Sequence, residues 1–407
     1  MAVITENKAR NTGLAESQVL SLSYGRVVVK PAEKQRGLVP ESYEGYQILE
    51  PGDVVIRPTD LQNDQTSIRV GRVHDRGIIT SAYVGLRSRS PWTTDFAYAY
   101  LAVIDSTKRI YGMGSGLRQQ LGWADLKRMP CLVPPVDEQA AIVKYLAHAN
   151  ARIDKAITAK RRLIALVDEE KQAVARDLLT GGSGEIGRIP GHWQSVITKR
   201  LCRITTGAED SGNSVLDGEY PFFVRGREIL RSSDYLFDAE AVMTPGDGQG
   251  GVGKVFHYYH GQFQAHQRVY VFLNFKGVRA RYFYWYLSTF FRSYALAQSN
   301  TVTMESLRQP VLASFPVAFP SQREQLRLVE QIEAETSRMQ NRVDVAQREI
   351  ALLGEFRARL VADVVTGQAD VRAIAASLPE IDPDSPTPDR LADGDQIVDA
   401  AMERSEV

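Results

Sequence analysis

Two long stretches of the chain repeat apolar side chains at the seven-residue spacing of helices that pack against each other. The first stretch follows Pro134 and ends at Gly181, and the second follows Pro320 and ends at Gly367. Dense charges fill the positions between the apolar ones, so we predict two long helices, each with one buried stripe. The predicted stripes contain Leu146, Ile153, Leu163, Val167, Ile332, Met339, Leu353 and Leu360. In the first helix, Leu146, Ile153, Val167 and Val174 take one heptad position, and Ala149, Ala156 and Leu163 take the other.

The second stretch is a copy of the first at a constant offset of 186 residues. Aligning 121–181 with 307–367 gives 16 identities in 61 positions without a gap. Such an alignment indicates an internal duplication. Ser321 and Glu324 predict a capping box at the start of the second helix, and Gly181 and Gly367 predict helix ends. Each helix of about 45 residues would be roughly 65 Å long, and the obvious partner for each stripe is the other copy.

A β-rich stretch precedes each helix, and both stretches also contain one helical segment, so the fold class is α+β. The first module mixes short apolar runs with turn residues, and the second repeats this mix after Ile189-Pro190-Gly191-His192-Trp193. Strands are predicted at 27–29, 53–56, 68–73, 77–80, 220–224, 253–259 and 269–273, and helices at 96–104 and 280–296. The predicted domains are 1–133, 134–182 (first spacer helix), 183–319, 320–368 (second spacer helix) and an acidic tail, 369–407.

Composition places the chain among globular proteins of more than one domain. It has 407 residues, 43% of them hydrophobic and 24% charged. Cys131 and Cys202 stand alone, which argues against a disulfide framework or a zinc site, and no apolar run is long enough to span a membrane. We therefore expect a cytoplasmic protein. The formal net charge is zero, but residues 368–407 carry ten acidic and three basic side chains, and we predict that this tail is disordered.

One glycine-rich segment superficially matches a phosphate-binding loop. The segment 246–254 contains G-x-G-x-x-G and ends in Gly253-Lys254, but Val255 stands where such a loop needs Ser or Thr. The following residues are strand-like, whereas a phosphate loop leads into a helix. A loop between strands is the better interpretation, and a nucleotide-binding enzyme that uses Gly246–Lys254 stays open as an alternative.

No residue pattern predicts catalysis. His257, His260 and His266 cluster without a cysteine or a paired carboxylate at metal-ligand spacing, which favours packing or hydrogen bonding. What remains is a set of basic, amide and aromatic side chains that can bind bases or phosphates. The candidates are Arg57, Arg69, Arg72, Arg76, Tyr83 and Arg118 in the first module, and Arg225, Arg227, Gln249, Lys254, His266, Gln267 and Arg268 in the second.

Together these features resemble the specificity subunit of type I restriction–modification systems. The resemblance rests on the repeated P-x-x-x-E-Q entry into a long helix that ends in Thr-Gly, at 134–181 and 320–367. The Ile189–Trp193 opening, the G-x-x-G-K-V loop and Phe263-Gln264-Ala265-His266-Gln267 add to it. It covers nearly the whole chain except the acidic tail.

The resemblance implies a non-catalytic DNA-binding subunit. In this family the two modules are target recognition domains that each recognise half of a bipartite double-stranded DNA site. The repeated helices form an antiparallel spacer and dock two methyltransferase (modification) subunits, with restriction/translocase subunits completing the complex. S-adenosylmethionine, ATP and Mg²⁺ are then expected on the partner subunits and no cofactor on this chain.

The first module departs from the family pattern, because no Trp-containing opening precedes Leu20. A shortened module, a start that lies too late in the sequence or a piece supplied from elsewhere would each explain this, so the first half is expected either to have a different specificity or to be an inactive half-site reader. A coiled-coil scaffold that binds only protein is the second alternative.

Overall fold

A computed structural model describes residues 3–23, 25–30, 42–59, 69–112, 121–185, 188–247, 253–298 and 307–380. The chain divides into two compact units, each of which takes part of both long helices. Unit 1 comprises residues 1–161 and 347–407, and unit 2 comprises residues 162–346. The predicted disordered acidic tail lies outside the described residues from 381 onward, whereas the prediction of disorder is wrong for residues 369–380, which contain a short helix with buried Val371 and Ala375. The domain boundaries drawn from the sequence stay predictions.

Unit 1 contains a four-stranded antiparallel sheet in the order β1-β8-β5-β6, with a hairpin β2–β3 and a pair β4–β7. The strands are β1 (Ile4–Glu6), β2 (Leu20–Ser23), β3 (Arg26–Val29), β4 (Gln47–Leu49), β5 (Val54–Ile56), β6 (Val70–Arg72), β7 (Gly77–Ile79) and β8 (Val84–Ser88). Helix α1 (Thr94–Ser106) packs on β6 and β8, and the short helix α2 (Trp123–Leu126) follows. Burial of nearly every α1 side chain from Phe96 to Ile104 explains why its sequence is apolar all round.

Unit 2 contains a six-stranded mixed sheet in the order β10-β15-β13-β14-β11-β12. The strands are β10 (Arg203–Thr206), β11 (Tyr220–Phe223), β12 (Ile229–Ser232), β13 (Phe237–Pro245), β14 (His257–Ala265) and β15 (Val269–Leu273). Helix α5 (Ala280–Ala297) packs its aromatic side chains on this sheet. The remaining elements are β9 (Gln194–Ile197), α4 (Thr198–Leu201), α6 (Gln309–Ser314) and β16 (Pro316–Phe319), with β16 paired antiparallel to β9. The fold class predicted from the sequence is confirmed.

The two long helices are α3 (Val136–Leu178) and α7 (Gln322–Val365), and a short helix α8 (Arg372–Ser377) follows α7. In unit 1, Arg357 pairs with Asp154 at 2.5 Å and Lys160 with Glu349 at 2.6 Å. In unit 2, Val167 packs with Met339 and Val343. In unit 1 residue numbers rise along α3 as they fall along α7, so the packed segments of that unit run antiparallel.

Of the two heptad positions predicted for the buried stripe of α3, one is correct and the other is wrong. Leu146, Ile153 and Val167 are buried, but Leu163 is 46% exposed, so the prediction that Leu163 lies in the stripe is wrong. The second position is formed instead by Asn150, Ile157, Ile164 and Lys171, which are buried or half-buried. The residues three and four positions after Leu146, and after its heptad equivalents, both lie near the stripe. The direction of the partner helix decides which of the two is buried. In α7, Ile332 and Met339 are buried, and Leu353 and Leu360 are half-buried.

The helix ends follow the sequence signals, with one difference. Gly181 and Gly367 have positive φ angles of 66° and 76°, as expected just after a helix end. At the start of α7, the Glu324 amide donates to Ser321 Oγ at 3.4 Å, which is half of the predicted capping box. The Glu324 carboxylate instead accepts from Trp193 Nε1 at 3.3 Å and faces His192 Nε2 at 3.2 Å. The reciprocal bond to Ser321 is absent among the described residues, because the opening segment of the second module takes this carboxylate.

Candidate nucleic-acid interface and helix anchors

Unit 2 brings three of the predicted DNA-binding residues into one tight turn between β14 and β15. His266, Gln267 and Arg268 form this turn, with the Val269 amide donating to the His266 carbonyl at 2.9 Å. The Gln267 amide donates to the Glu209 carbonyl at 2.9 Å, and the Arg268 carbonyl accepts from Gly246 at 2.7 Å. The turn is thus held on both flanks by neighbouring loops, while the side chains of Gln267 and Arg268 are exposed.

Two glycines allow these loops to approach the turn. A Cβ at Gly207 would lie 1.9 Å from the Ala265 carbonyl oxygen. A Cβ at Gly246 would lie 2.9 Å from the Tyr270 ring and 3.2 Å from the Arg268 carbonyl oxygen. Because these neighbours are a backbone or a packed ring, only glycine fits at either position without a shift.

His266 is the buried support of the turn. Its side chain is 2% exposed, and its Nδ1 accepts a hydrogen bond from the Arg268 amide at 3.0 Å. The geometry therefore assigns the neutral tautomer with its proton on Nε2, which faces Asp210 at 3.7 Å. Burial lowers the pKa of His266, and the positive charge of Arg225 lowers it further, against the opposing effect of Asp210. The ring is therefore neutral at pH 7 and acts as an acceptor that fixes the backbone.

Carboxylates accompany the exposed side chains of this turn. Arg268 Nη1 pairs with Asp247 Oδ2 at 2.5 Å, and Gln267 Nε2 donates to Asp210 Oδ2 at 3.4 Å. The pKa of Asp210 is lowered first by the hydrogen bond from the Gly212 amide and also by the positive charge of Arg225. We name this group the turn cluster: Asp210, Arg225, Asp247, His266, Gln267 and Arg268. It combines fixed backbone with exposed guanidinium and amide groups, the types that can bind base edges or phosphates.

The other candidates of the second module are not joined to the turn cluster by a described contact. Arg227 and Lys254 are exposed, and Gln249 lies outside the described residues. Gly253 packs against Arg292 of α5, and Val255 beyond Lys254 is buried. The chain then enters strand β14 rather than a helix, so the described part of the glycine loop lacks the helix N-terminus that binds phosphate in nucleotide-binding proteins.

Two of the predicted DNA-binding arginines of the first module are buried or mostly buried inside the fold. Arg69 has 0% exposure, and its Nη1 donates to the Thr59 carbonyl at 2.5 Å, so its prediction as a surface contact is wrong. Its position at the start of β6 beside α1 explains the burial, because its amide also donates to Asp105 of α1 at 2.7 Å. Arg72 is mostly buried and paired with Asp95 in the first turn of α1. The Arg69 amide and the Arg72 side chain therefore anchor α1 to the sheet.

The remaining DNA-binding candidates of the first module differ in how far their side chains are exposed. Arg76 is exposed but lies between Glu16 at 3.2 Å and Glu50 at 2.7 Å. Tyr83 is half-buried against a small apolar core, and Arg57 is half-buried. Arg118 lies outside the described residues. The structure therefore forms no arginine-rich surface from the described candidates of unit 1.

One pair of site residues was missed by the sequence interpretation: the two glutamines of the repeated Glu-Gln. Gln139 and Gln325 are both fully buried at the starts of α3 and α7. Gln325 Nε2 donates to the Pro320 carbonyl at 2.9 Å and the Gly277 carbonyl at 3.1 Å, and its Oε1 accepts from the Arg279 amide at 2.8 Å.

Gln139 makes the equivalent three bonds in unit 1. Its Nε2 donates to the Pro134 and Pro91 carbonyls, both at 2.9 Å, and its Oε1 accepts from the Thr93 amide at 2.8 Å. Pro91 and Thr93 precede α1 as Gly277 and Arg279 precede α5, again 186 residues apart. Each glutamine therefore ties a long helix to the helix of its module. Identity in both copies was the signal that could have identified it.

The long helices also expose apolar side chains at equivalent positions. The tripeptide Ile-Ala-Leu occurs at 164–166 and 350–352. In both copies the isoleucine is turned inward, whereas Leu166 is 52% and Leu352 is 62% exposed. Leu163 is exposed one turn from Leu166, and Phe356 is exposed one turn from Leu352. Each copy therefore exposes a small apolar patch on an otherwise charged helix, whereas a single exposed apolar side chain would be ordinary.

Comparison with known proteins gives one curated relative and a set of similar structures, while no family model matches the chain. The chain is 25% identical over 182 residues to the Type I restriction enzyme EcoDI specificity subunit of Escherichia coli. This match covers 45% of the chain and 40% of the relative. The resemblance to type I specificity subunits is confirmed.

Solved structures similar to the chain are also found. A chain from a study of complex assembly and conformational transition of the type I R-M system has a TM-score of 0.60 at 14% identity. That match covers 90% of the present chain and 96% of the other, and it supports the fold. The HsdS subunit from Thermoanaerobacter tengcongensis has a TM-score of 0.41 at 14% identity. The curated match spans less than half of the type I specificity subunit, so activity and partners are inferred below.

Among the described residues, neither a metal-binding cluster nor a membrane-spanning helix is found. No group of three or more His, Cys, Asp or Glu side chains that could hold a metal ion occurs among them. None of the described helices is long and apolar enough to cross a membrane.

Proposed function

We propose that this chain is the DNA-recognition subunit of a type I restriction–modification complex. It would recognise a bipartite site in double-stranded DNA, with one half-site for each module. The observation that carries the proposal is the turn cluster, in which buried His266 fixes a turn that exposes Gln267 and Arg268. Gln pairs bidentately with adenine and Arg with guanine in the major groove. The family resemblance supplies the context in which this turn faces DNA.

The turn cluster also suggests how unspecific binding is limited. Asp247 and Asp210 occupy Arg268 and Gln267 in the free protein. A phosphate is an anion and is repelled by these two carboxylates, whereas the edge of a guanine offers acceptors without a net charge. These carboxylates therefore favour base contacts over backbone contacts.

The two long helices would dock two methyltransferase subunits through equivalent surfaces. Leu166 with Leu163, and Leu352 with Phe356, supply an exposed apolar pair in each copy. Restriction/translocase subunits would join through the methyltransferases or beside them. Methyl transfer, ATP hydrolysis and their cofactors S-adenosylmethionine, ATP and Mg²⁺ would belong to these partners, and this chain would be non-catalytic.

The test of DNA recognition is the methylation pattern of cells that express the chain with its partner subunits. Gln267→Ala and Arg268→Ala should each change which sequences are methylated at one half-site and leave the other half-site intact. Each lost bidentate pair costs roughly 1–3 kcal/mol of discrimination. Arg203→Ala is the matched control, because Arg203 is also exposed on the second module but is neither a predicted DNA-binding residue nor part of the turn cluster. An equal loss at all sites would make the two residues phosphate contacts, and a change at the other half-site would contradict the assignment.

Docking is tested separately by co-purification with the methyltransferase subunits. Leu166→Asp and Leu352→Asp should each remove one of two bound copies, and the double variant should remove both. Ala165→Asp, on an exposed neighbouring position, controls for added charge alone. Full retention of both copies by the double variant would show that the partner binds elsewhere.

A further inference from the structure

The sheet of unit 1 repeats four strands of the sheet of unit 2 in the same register. The order β1-β8-β5-β6 corresponds to β10-β15-β13-β14. Val54 of β5 lies opposite Leu86 of β8. Val242 of β13 lies opposite Phe272 of β15, which is 186 residues after Leu86. The partners of Val54 and Val242 on β6 and β14 have this offset too. The duplication therefore extends from the long helices into the strands of the modules.

The chain makes the same backbone contact just beyond each central strand. The Leu121 amide donates to the Pro58 carbonyl at 2.9 Å, and the Leu307 amide donates to the Gly246 carbonyl at 2.5 Å. Gly246 also supports the turn cluster, because its own amide donates to the Arg268 carbonyl at 2.7 Å. The end of the sheet that carries the turn cluster in unit 2 therefore has a counterpart in unit 1.

The turn of unit 1 that matches the turn between β14 and β15 is Thr80–Tyr83, which we name the Thr80 turn. It leads into β8 as the turn of unit 2 leads into β15. The Tyr83 amide donates to the Thr80 carbonyl at 3.2 Å, and the same bond closes the turn at His266. The Ala82 amide donates to Thr80 Oγ1 at 3.4 Å, whereas the Arg268 amide donates to His266 Nδ1. In both turns the side chain of the first residue thus accepts from the amide two residues later.

The Thr80 turn is fixed from inside by Gln47 of β4. The Gln47 side chain is 5% exposed, and its Nε2 donates to the Tyr83 carbonyl at 2.6 Å and to the Thr80 carbonyl at 3.5 Å. Its Oε1 accepts from the Gly85 amide at 3.2 Å. Neighbouring loops hold the turn of unit 2 through backbone bonds instead. Both turns are therefore held by groups that lie outside them.

The two residues that the Thr80 turn exposes are Ser81 and Ala82. They take the positions of Gln267 and Arg268, 186 residues later. Neither was among the DNA-binding residues predicted from the sequence, because neither carries a charge or an amide. A serine hydroxyl can donate to a base or accept from it, and an alanine methyl can contact the 5-methyl group of thymine. Such short side chains reach a base only where the backbone comes close, so they depend on a fixed turn.

We propose that the Thr80 turn is the base-recognition element of the first module, in the place that the turn cluster has in the second. This inference rests on the proposed recognition of DNA by the chain. Ala82 contacts a thymine methyl group of the first half-site, and Ser81 forms a hydrogen bond to a neighbouring base. Thr80 and Gln47 are positioning residues. The first half-site is therefore recognised through a methyl contact and a hydroxyl, without the bidentate side chains of the second module.

The first experiment compares methylation patterns in cells that express the full chain with its partner subunits. The first half-site is the one that Gln267→Ala and Arg268→Ala leave unchanged. A double variant, Ser81→Gln with Ala82→Arg, gives the Thr80 turn the exposed side chains of its counterpart. It should change the bases recognised at the first half-site and leave the second intact. Ala124→Arg, at an exposed position of α2, is the matched control for an added charge and should change neither.

The second experiment measures the affinity of the assembled complex for duplexes in which deoxyuridine replaces one thymine of the first half-site at a time. Deoxyuridine lacks only the 5-methyl group. With the wild-type chain, one of these replacements should weaken binding about fourfold, which corresponds to about 0.8 kcal/mol for one buried methyl group. Ala82→Gly should weaken binding to the unmodified duplex by a similar factor and should no longer respond to that replacement. Ala124→Gly should keep the full response.

Two results would overturn the inference. One is a double variant that methylates DNA normally with an unchanged first half-site. The other is a wild-type complex that binds every deoxyuridine duplex equally well, or an Ala82→Gly complex that keeps the response. If the double variant methylates nothing, the deoxyuridine measurements decide, since they compare the wild-type chain with a variant that lacks one methyl group. A failure of the proposed DNA recognition has a different signature, because the wild-type complex would then prefer no DNA sequence at all.

Discussion

Replacement of Gln325 by leucine should destabilise unit 2 far more than any exposed substitution at the same helix end. Leucine keeps most of the volume but removes the donor to Pro320 and the acceptor for Arg279. The Gly277 carbonyl keeps a donor, because Gln322 Nε2 also lies 3.0 Å from it. Two groups therefore lose their partner, and each such group costs about 1–3 kcal/mol when buried. We expect a loss of roughly 4 kcal/mol, which corresponds to about 10 °C for a unit of this size.

Gln322→Ala is the matched control, since it removes an exposed bond to the same carbonyl. Alone it should cost under about 1 kcal/mol, because Gln325 still donates to Gly277. In the Gln325→Leu background it should cost more, because Gly277 then loses both of its described donors. Thermal unfolding of the four proteins of this cycle, followed by calorimetry and circular dichroism, measures both effects. The argument for Gln325 as an anchor fails if Gln325→Leu lowers the free energy of unfolding no more than Gln322→Ala does. It also fails if the losses of the two single variants add up to that of the double variant.

Three further predictions concern the stripe, the turn and the glycine loop. Ile153→Asp should lower the free energy of unfolding by several kcal/mol, because it puts a charge into an apolar contact. Leu163→Asp, on the exposed face, should change the melting temperature little. Equal melting temperatures of the two variants would contradict the corrected stripe. Since the folded pKa of His266 is lowered, the unfolded state binds more protons below about pH 6.5, and stability should fall as the pH drops from 7 to 5.5. Chemical denaturation should show a smaller fall for His266→Gln, and an unchanged pH dependence would exclude His266 as a source. The purified chain should hydrolyse no ATP, and turnover that Lys254→Ala abolishes would restore the nucleotide-binding alternative.

Most elements of the fold could be predicted from local patterns. The helices at 96–104 and 280–296 correspond to α1 and α5, and both long helices end at their predicted glycines. The predicted strand at 253–259 is shifted, because Gly253–Phe256 form a loop and β14 runs from His257 to Ala265. The interior strands β8 and β13 were missed, since neither sequence alternates apolar and polar residues along its whole length.

The sequence allowed the residue types of the candidate site to be predicted, but not which of those side chains would be exposed. His266, Gln267 and Arg268 are adjacent in sequence, so one turn could present them together. Arg69 and Gln267 both carry long polar side chains, yet Arg69 is buried against Thr59 and Gln267 is exposed. Burial depends on which strand and helix lie beside a residue, and a local pattern does not contain that information.

The sequence by itself determined the architecture, because duplication, helical periodicity and helix-stop glycines are local or repeat properties of the chain. The tertiary structure decided which of two adjacent heptad positions faces the partner helix, and it placed Ile164 inward and Leu163 outward. It also decided the difference between the two copies, in which Phe319 is covered by β9 and Val133 is not. Both outcomes depend on residues far apart in sequence, since a side chain is buried only when a distant segment packs on it.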